Sequence, residues 1–210
     1  MKQMILSVVL TIFIITGSIT FTLNFRILYY HDITALKIEQ TSGLSRKTIC
    51  ENYNSLIDYN SVFSREPLKL TMKMSKEGRI HFQEVREIFY AVQILLGISF
   101  LCSLFLGFRQ MKQKNYHFLK TTSILTLTIP LITGVTVSLF WNKAFVLFHK
   151  LLFSNDYWIF DPYFDPIINI LPDTFFFHCT VMIILLILAG SGTCFLLYKF
   201  CSFFRHKSMI

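Results

Sequence analysis

Residues 175–197 read FFFHCTVMIILLILAGSGTCFLL, with no Asp, Glu, Lys or Arg among them. An α-helix rises about 1.5 Å per residue, so roughly 20 such residues cross the hydrocarbon core of a bilayer. Working outward from this stretch, three more uncharged apolar runs appear, at about 4–23, 88–108 and 121–141. The third contains Pro130 and Gly134, both tolerated in membrane helices. The first follows Lys2 like a signal peptide. Its apolar run is too long for one, and Asn24-Phe25-Arg26 follows in place of a small-residue cleavage site, so a retained helix is expected. The whole chain agrees: 53% of its 210 residues are hydrophobic, 16% aromatic and only 15% charged, and its mean hydropathy is +0.53. A soluble domain does not have this composition.

The net charge of +8 does not point to nucleic acid, because the basic residues flank the apolar runs instead of lining one face. Their placement sets an orientation. Arg109, Lys112, Lys114 and Lys120 sit between the second and third runs with no acid, and Lys199, Arg205 and Lys207 follow the fourth, again with no acid. By the positive-inside rule both segments are cytoplasmic. All twelve acids then fall outside, eight from Asp32 to Glu87 and four from Asp156 to Asp173. The expectation is an all-α membrane protein, a single integral domain over 1–210 with four transmembrane helices. Both termini lie inside, and outer segments at about 24–87 and 142–174 form an extracytoplasmic cap. No run contains an acid, which argues against an ion or proton relay through the bundle. Cys50, Cys102, Cys179, Cys194 and Cys201 show neither C-x-x-C nor zinc-type spacing, so neither a disulfide nor a metal is expected.

In the first outer segment, Tyr29 to Gln40 has no clear period. From Ser45, a plausible N-cap, the residues Ile49, Tyr53, Leu56 and Ile57 mark one face of a short helix. Pro67 to Ser75 alternates, with Leu68, Leu70, Met72 and Met74 against Lys69, Thr71 and Lys73. That predicts a strand, a turn at Ser75–Gly78 and a return over Arg79–Phe82, a small β-hairpin. In the second outer segment, Asn142–Phe153 predicts a helix in the interface plane, with Phe145, Phe148, Leu151 and Leu152 on its apolar side. Asn155 and Asp156 close it and begin a turn. Asp165 precedes Pro166 and suits the cap of a short helix, Asp161-Pro162 repeats the step, and Asp173 suits the cap of the fourth span.

The segment His149–Asp173, HKLLFSNDYWIFDPYFDPIINILPD, is built from large aromatic and aliphatic residues with acids between them. Ordinary loops use small polar residues. Its aromatics suit the headgroup level, where anchoring alone would account for them. The chain has no G-x-S-x-G, H-E-x-x-H, P-loop or glycine-rich dinucleotide turn. What the outer segments offer is His81 and His149, with His31 a weaker third. Such a pair serves proton transfer near neutral pH or, less well, metal ligation.

The run FHKLLFSNDYWIFDPYFDPIINILPDTFF (148–176), with HFQEVREIF (81–89), resembles the lipoprotein intramolecular transacylase family of four-span bacterial membrane proteins. The likeness in span count and order covers nearly the whole chain, with no departure at the two histidines. It implies a site at the outer surface of the bacterial cytoplasmic membrane. There an acyl chain moves from the sn-2 ester of a lipoprotein's S-diacylglyceryl cysteine to that cysteine's α-amine, giving the lyso form. It implies diacylglyceryl-modified lipoproteins and membrane lipids as partners, with no cofactor, metal or nucleic acid. It also implies His81 and His149 as the catalytic pair. For that reaction His149 suits the base and His81 the oxyanion partner or second shuttle, with a protonated histidine, the Tyr157 hydroxyl and backbone N–H groups all open as oxyanion donors. Asp156 or Asp161 would orient an imidazole, Tyr157 and Trp158 would line the lipid access path, and Asn155 and Asp165 would support the site. Two other readings stand beside this one. A non-catalytic assembly protein would tolerate loss of either histidine, and a lipid-ester hydrolase would release fatty acid.

Overall fold

The computed structural model describes residues 2–207. Its helices are α1 (Lys2–Asn24), α2 (Arg26–Ala35), α3 (Ile38–Ser42), α4 (Arg46–Tyr59), α5 (Lys76–Lys112), α6 (His117–Leu139), α7 (Trp141–Leu152) and α8 (Asp173–Lys207). A 3-10 turn at Pro166–Ile170 lies between α7 and α8. Among the described residues, three helices are long and apolar enough to cross a membrane: Gln3–Asn24, Lys76–Lys112 and Asp173–Phe204. The apolar part of α6, His117–Ile132, is shorter. Only 6% of the most apolar stretch of α5 is buried, and Leu101, Phe105 and Phe108 are each more than 60% exposed. In water that surface would cost roughly 25 cal/mol per Å²; against lipid chains it costs nothing. The protein is an all-α, multi-pass membrane protein.

Two compact units are distinguished. The first comprises Val92–Leu139 with the early part of α1 and the later part of α8. Its helices pack through small and hydroxylated side chains, as membrane helices do. Ser7 Oγ donates to the Phe118 carbonyl at 3.1 Å, and Ser191 Oγ donates to the Ser123 carbonyl at 2.8 Å. Thr11 and Thr126 hydroxyls meet at 3.3 Å. A Cβ at Gly190 would lie 2.7 Å from the Ile14 side chain, so glycine permits α1 and α8 to approach there.

The second unit is Phe21–Ala91 with Phe140–Thr180. Helix α2 buries Tyr29, Asp32 and Ile33, an i, i+3, i+4 face, and α4 buries Ile49, Tyr53, Leu56 and Ile57. As expected, Ser45 caps α4, accepting from the Thr48 N–H at 3.2 Å. Tyr29 and Tyr53 stack with centroids 3.7 Å apart, and the Tyr29 hydroxyl donates to the Ile170 carbonyl at 2.6 Å. Asp32, 1% exposed, accepts from His178 Nδ1 at 2.8 Å and faces His31 Nδ1 at 3.4 Å. The His178 bond ties α2 to the first turns of α8.

The expected hairpin is absent: there is no strand among the described residues. The alternation is real, since Leu68, Leu70, Met72 and Met74 are part-buried while Lys69, Thr71 and Lys73 are exposed. Its backbone partner, however, is a helix. Asn52 of α4 accepts from the Thr71 N–H at 2.8 Å, and Ser55 donates to the Lys69 carbonyl. With those groups satisfied, no return strand is needed. The stretch expected as turn and second strand forms the first turns of α5 instead. The segment with no visible period, Tyr29–Gln40, is helical as α2 and α3.

Candidate active site

Aromatic side chains and two imidazoles converge in the second unit. His81, in the second turn of α5, is 6% exposed. His149 lies in the last turn of α7. Their centroids are 6.2 Å apart. Phe153 packs on both rings, at 4.8 Å from His81 and 5.8 Å from His149. Phe160 covers His81 at 5.4 Å, Phe145 covers His149 at 4.3 Å, and Trp158 stacks on His149 at 4.7 Å with 28° between planes.

Helix α7 fixes the tautomer of His149. Its Nδ1 lies 2.8 Å from the Phe145 carbonyl one turn earlier. A carbonyl only accepts, so Nδ1 carries the proton and Nε2 keeps a free lone pair. Burial lowers the His149 pKa, and the Phe145 bond partly offsets this. Burial, and next the neighbouring His149, pull His81 down to about 4. Both rings are therefore neutral at pH 7.

This depression gives a pH signature. An unfolded histidine titrates near 6.5. Between that value and about 4 the unfolded chain binds a proton that folded His81 refuses, so stability falls as pH drops through this window. Over this window the loss is at most about 3 kcal/mol. Melting profiles in detergent from pH 7 to pH 4 should show a steeper loss for the wild type than for His81→Gln. Parallel profiles would contradict the buried neutral imidazole.

Three buried polar atoms on or beside these rings have no hydrogen-bond partner among the described residues: His81 Nδ1, Glu84 Oε2 and Trp158 Nε1. Buried polar groups are nearly always paired. Unpaired donors and acceptors around one imidazole pair mark a place for a polar ligand.

The other expected residues divide into braces and surface groups. Asn155 donates from Nδ2 to Glu84 Oε1 at 2.7 Å and accepts the Tyr157 N–H at 3.0 Å. It thereby holds the turn that presents Trp158. Asp165, 4% exposed, does not cap its own 3-10 turn, although Pro166 begins that turn as expected. Its carboxylate accepts from the Ser75 N–H and hydroxyl, both at 2.7 Å. Ser75 Oγ in turn accepts from the Gly78 N–H at 2.8 Å. This chain of bonds fixes the start of α5 just before His81. Gly78 is required there: a Cβ would collide with the Asp165 carboxylate and lie 3.2 Å from the Phe160 ring. Asp161 forms a local turn, accepting from the Tyr163 N–H at 2.8 Å. Asp156 and Asp161 show no bond to an imidazole, and the exposed Tyr157 ring is not among those packed on either histidine. Asp173, at the start of α8, accepts from the Thr174 N–H at 2.8 Å.

Sequence reading missed three participants. Glu84 sits three residues after His81, a spacing that matters only once 79–82 is helical. His178 lies inside the longest apolar run, where its partner Asp32 is invisible. Phe145 had been noted only as part of an apolar face.

A helical membrane protein with a paired-imidazole chamber is the class these features define. The chain belongs to the family of the lipoprotein intramolecular transacylase Lit, whose model matches residues 4–176. The solved structure of the membrane-integral lipoprotein intramolecular transacylase Lit from Bacillus cereus is 37% identical, with a TM-score of 0.96 over 100% of this chain and 97% of that one. Structures of that protein with a histidine replaced by arginine or by alanine give TM-scores of 0.89 and 0.88. The first is 36% identical over 99% of this chain and 93% of that one; the second is 37% identical over 100% and 94%. No curated protein matches this chain.

Proposed function

We propose that the protein moves the sn-2 acyl chain of an S-diacylglyceryl lipoprotein onto the α-amine of the same cysteine. In this reading it is one integral membrane domain with four spans, α6 being the third. Its termini are cytoplasmic and its histidine pair lies at the outer leaflet. The observation that carries the reading is His149: a neutral imidazole, pinned through Nδ1 and free at Nε2, within an aromatic chamber beside His81. Family membership supports the same reading.

Donor and acceptor belong to one molecule, so no residue need store an acyl group. Bringing them together is itself worth roughly 7–11 kcal/mol of barrier. The substrate ammonium first loses one proton to solvent; with a pKa of roughly 7.7–8.0 it does so readily near neutral pH. The amine nitrogen attacks the ester carbonyl carbon, and negative charge gathers on the carbonyl oxygen. His149 Nε2 takes a second proton from nitrogen. The C–O bond to glycerol then breaks, and the same proton goes to the departing glyceryl oxygen. The product keeps one N–H in a new amide, and the enzyme returns to its starting state. Donors for the oxyanion are the Trp158 indole N–H and an N–H of neutral His81.

The test is a mass balance. Purified protein and one diacyl lipopeptide, with no added acyl donor, nucleotide or metal, should give an isomer of unchanged mass. One chain becomes stable to mild base and the amine becomes blocked. Loss of one acyl chain would make the protein a lipase. Gain of one would make it an intermolecular N-acyltransferase. Either result overturns the proposal.

A further inference from the structure

The face of α5 that carries His81 continues into a cleft of about 350 Å³, lined by Glu84, Glu87, Ile88 and Ala91 and by residues 152–154. Helix positions three apart have Cβ atoms roughly 5–6 Å apart, so Glu84 neighbours the His81 ring. Phe153 lines the cleft and packs on both imidazoles. In a chain of net charge +8, this cleft has two carboxylates and no Lys or Arg in its lining. Arg86, the nearest base in sequence, is held elsewhere. It donates to the Ser64 carbonyl at 2.6 Å, and its guanidinium lies 4.5 Å from the centroid of the Tyr59 ring.

Glu84 is half used. Oε1 accepts from Asn155, while Oε2 is buried without a partner among the described residues. One turn away, His81 Nδ1 is equally unpaired in a side chain that is 6% exposed. An acceptor-only oxygen in such a place lacks a donor, and a positively charged donor makes the strongest bond to it. We propose that Glu84 Oε2 is the receptor for a primary ammonium group. On the transacylase reading, on which this rests, that group is the free α-ammonium of the substrate's N-terminal cysteine. The contact selects lipoproteins whose amine is not yet acylated and holds the nitrogen beside the histidine pair. The amide product carries no charge there, so the contact is lost as the reaction completes.

The probes are two lipopeptides with ether-linked chains, which cannot transfer an acyl group. One has a free α-amine and the other is N-acetylated. Wild-type protein should bind the amine form more tightly by roughly ten- to a hundredfold, the usual scale for a hydrogen bond to a charged group. Glu84→Gln keeps an acceptor for Asn155 and should abolish the preference. A second measurement needs no variant. Wild-type affinity for the amine form should fall as pH rises past roughly 8, where that ammonium loses its proton, while affinity for the N-acetyl form stays level. An undiminished preference in Glu84→Gln, or equal pH profiles for the two probes, overturns the proposal even if the wild type isomerises the diester substrate. Failure of the wild type to isomerise that substrate overturns the transacylase reading instead.

Discussion

Replacing His149 by alanine should lower turnover by roughly a hundredfold or more, the usual scale for a positioned acid–base group, while protein level hardly changes. On the proposed mechanism the ring carries the proton from attacking nitrogen to departing oxygen, through an Nε2 lone pair whose tautomer the Phe145 carbonyl fixes. The Phe145 carbonyl that fixes the tautomer belongs to α7 itself, so losing the ring leaves the helix backbone intact. His81→Ala should cost a similar factor for a different reason. His81 is neutral and buried, with an unpaired Nδ1 among the described residues, so on the proposed mechanism its part is N–H donation or the second shuttle. The two losses should not multiply in the double variant, because groups that act as a unit are strongly non-additive. Near-normal turnover in either single variant, at normal accumulation, would remove that histidine from the mechanism.

What the sequence disclosed and what it hid follow from the range of the forces involved. Charge-free apolar runs are local properties, so α1, the 88–108 part of α5 and the apolar part of α8 were readable directly, as were the Ser45 cap and the amphipathic α7. The Leu68–Met74 alternation reported burial correctly but could not report the pairing partner, because Asn52 and Ser55 reach it from a separate helix. Reading a hairpin there also concealed the α5 face on which His81 and Glu84 are neighbours. Asp165 shows the same limit: the Asp-Pro step gave the local turn, while its carboxylate goes to Ser75, ninety positions earlier. The Asp32–His178 pair spans 146 positions and has no local signature at all. His81 and His149 stood out in the sequence because the outer segments offer no other catalytic motif, and the family resemblance implies them as a pair. The geometry that fixes the His149 tautomer, an Nδ1 bond to a carbonyl four residues back, requires knowing that α7 reaches His149 as a helix.

Replacing Trp158 by phenylalanine should lower kcat by roughly a hundred- to a thousandfold, the range for losing one oxyanion donor. Trp158 stacks on His149 at 4.7 Å, and phenylalanine keeps an aromatic face for that contact. What it removes is the indole N–H, a donor only, buried and without an acceptor among the described residues. Charge on the ester oxygen develops in the transition state and is nearly absent from the bound substrate. A donor aimed at that oxygen therefore affects kcat and leaves KM almost unchanged. A lipid-lining role predicts the opposite split, with weaker binding and near-normal kcat. Steady-state kinetics on one diacyl lipopeptide, with affinity for the ether-linked amine probe measured alongside, separate the two. If Trp158→Phe keeps kcat within about threefold of wild type, the indole N–H is not an oxyanion donor. The developing charge would then have to be met by His81 alone or by backbone N–H groups of the 154–159 turn.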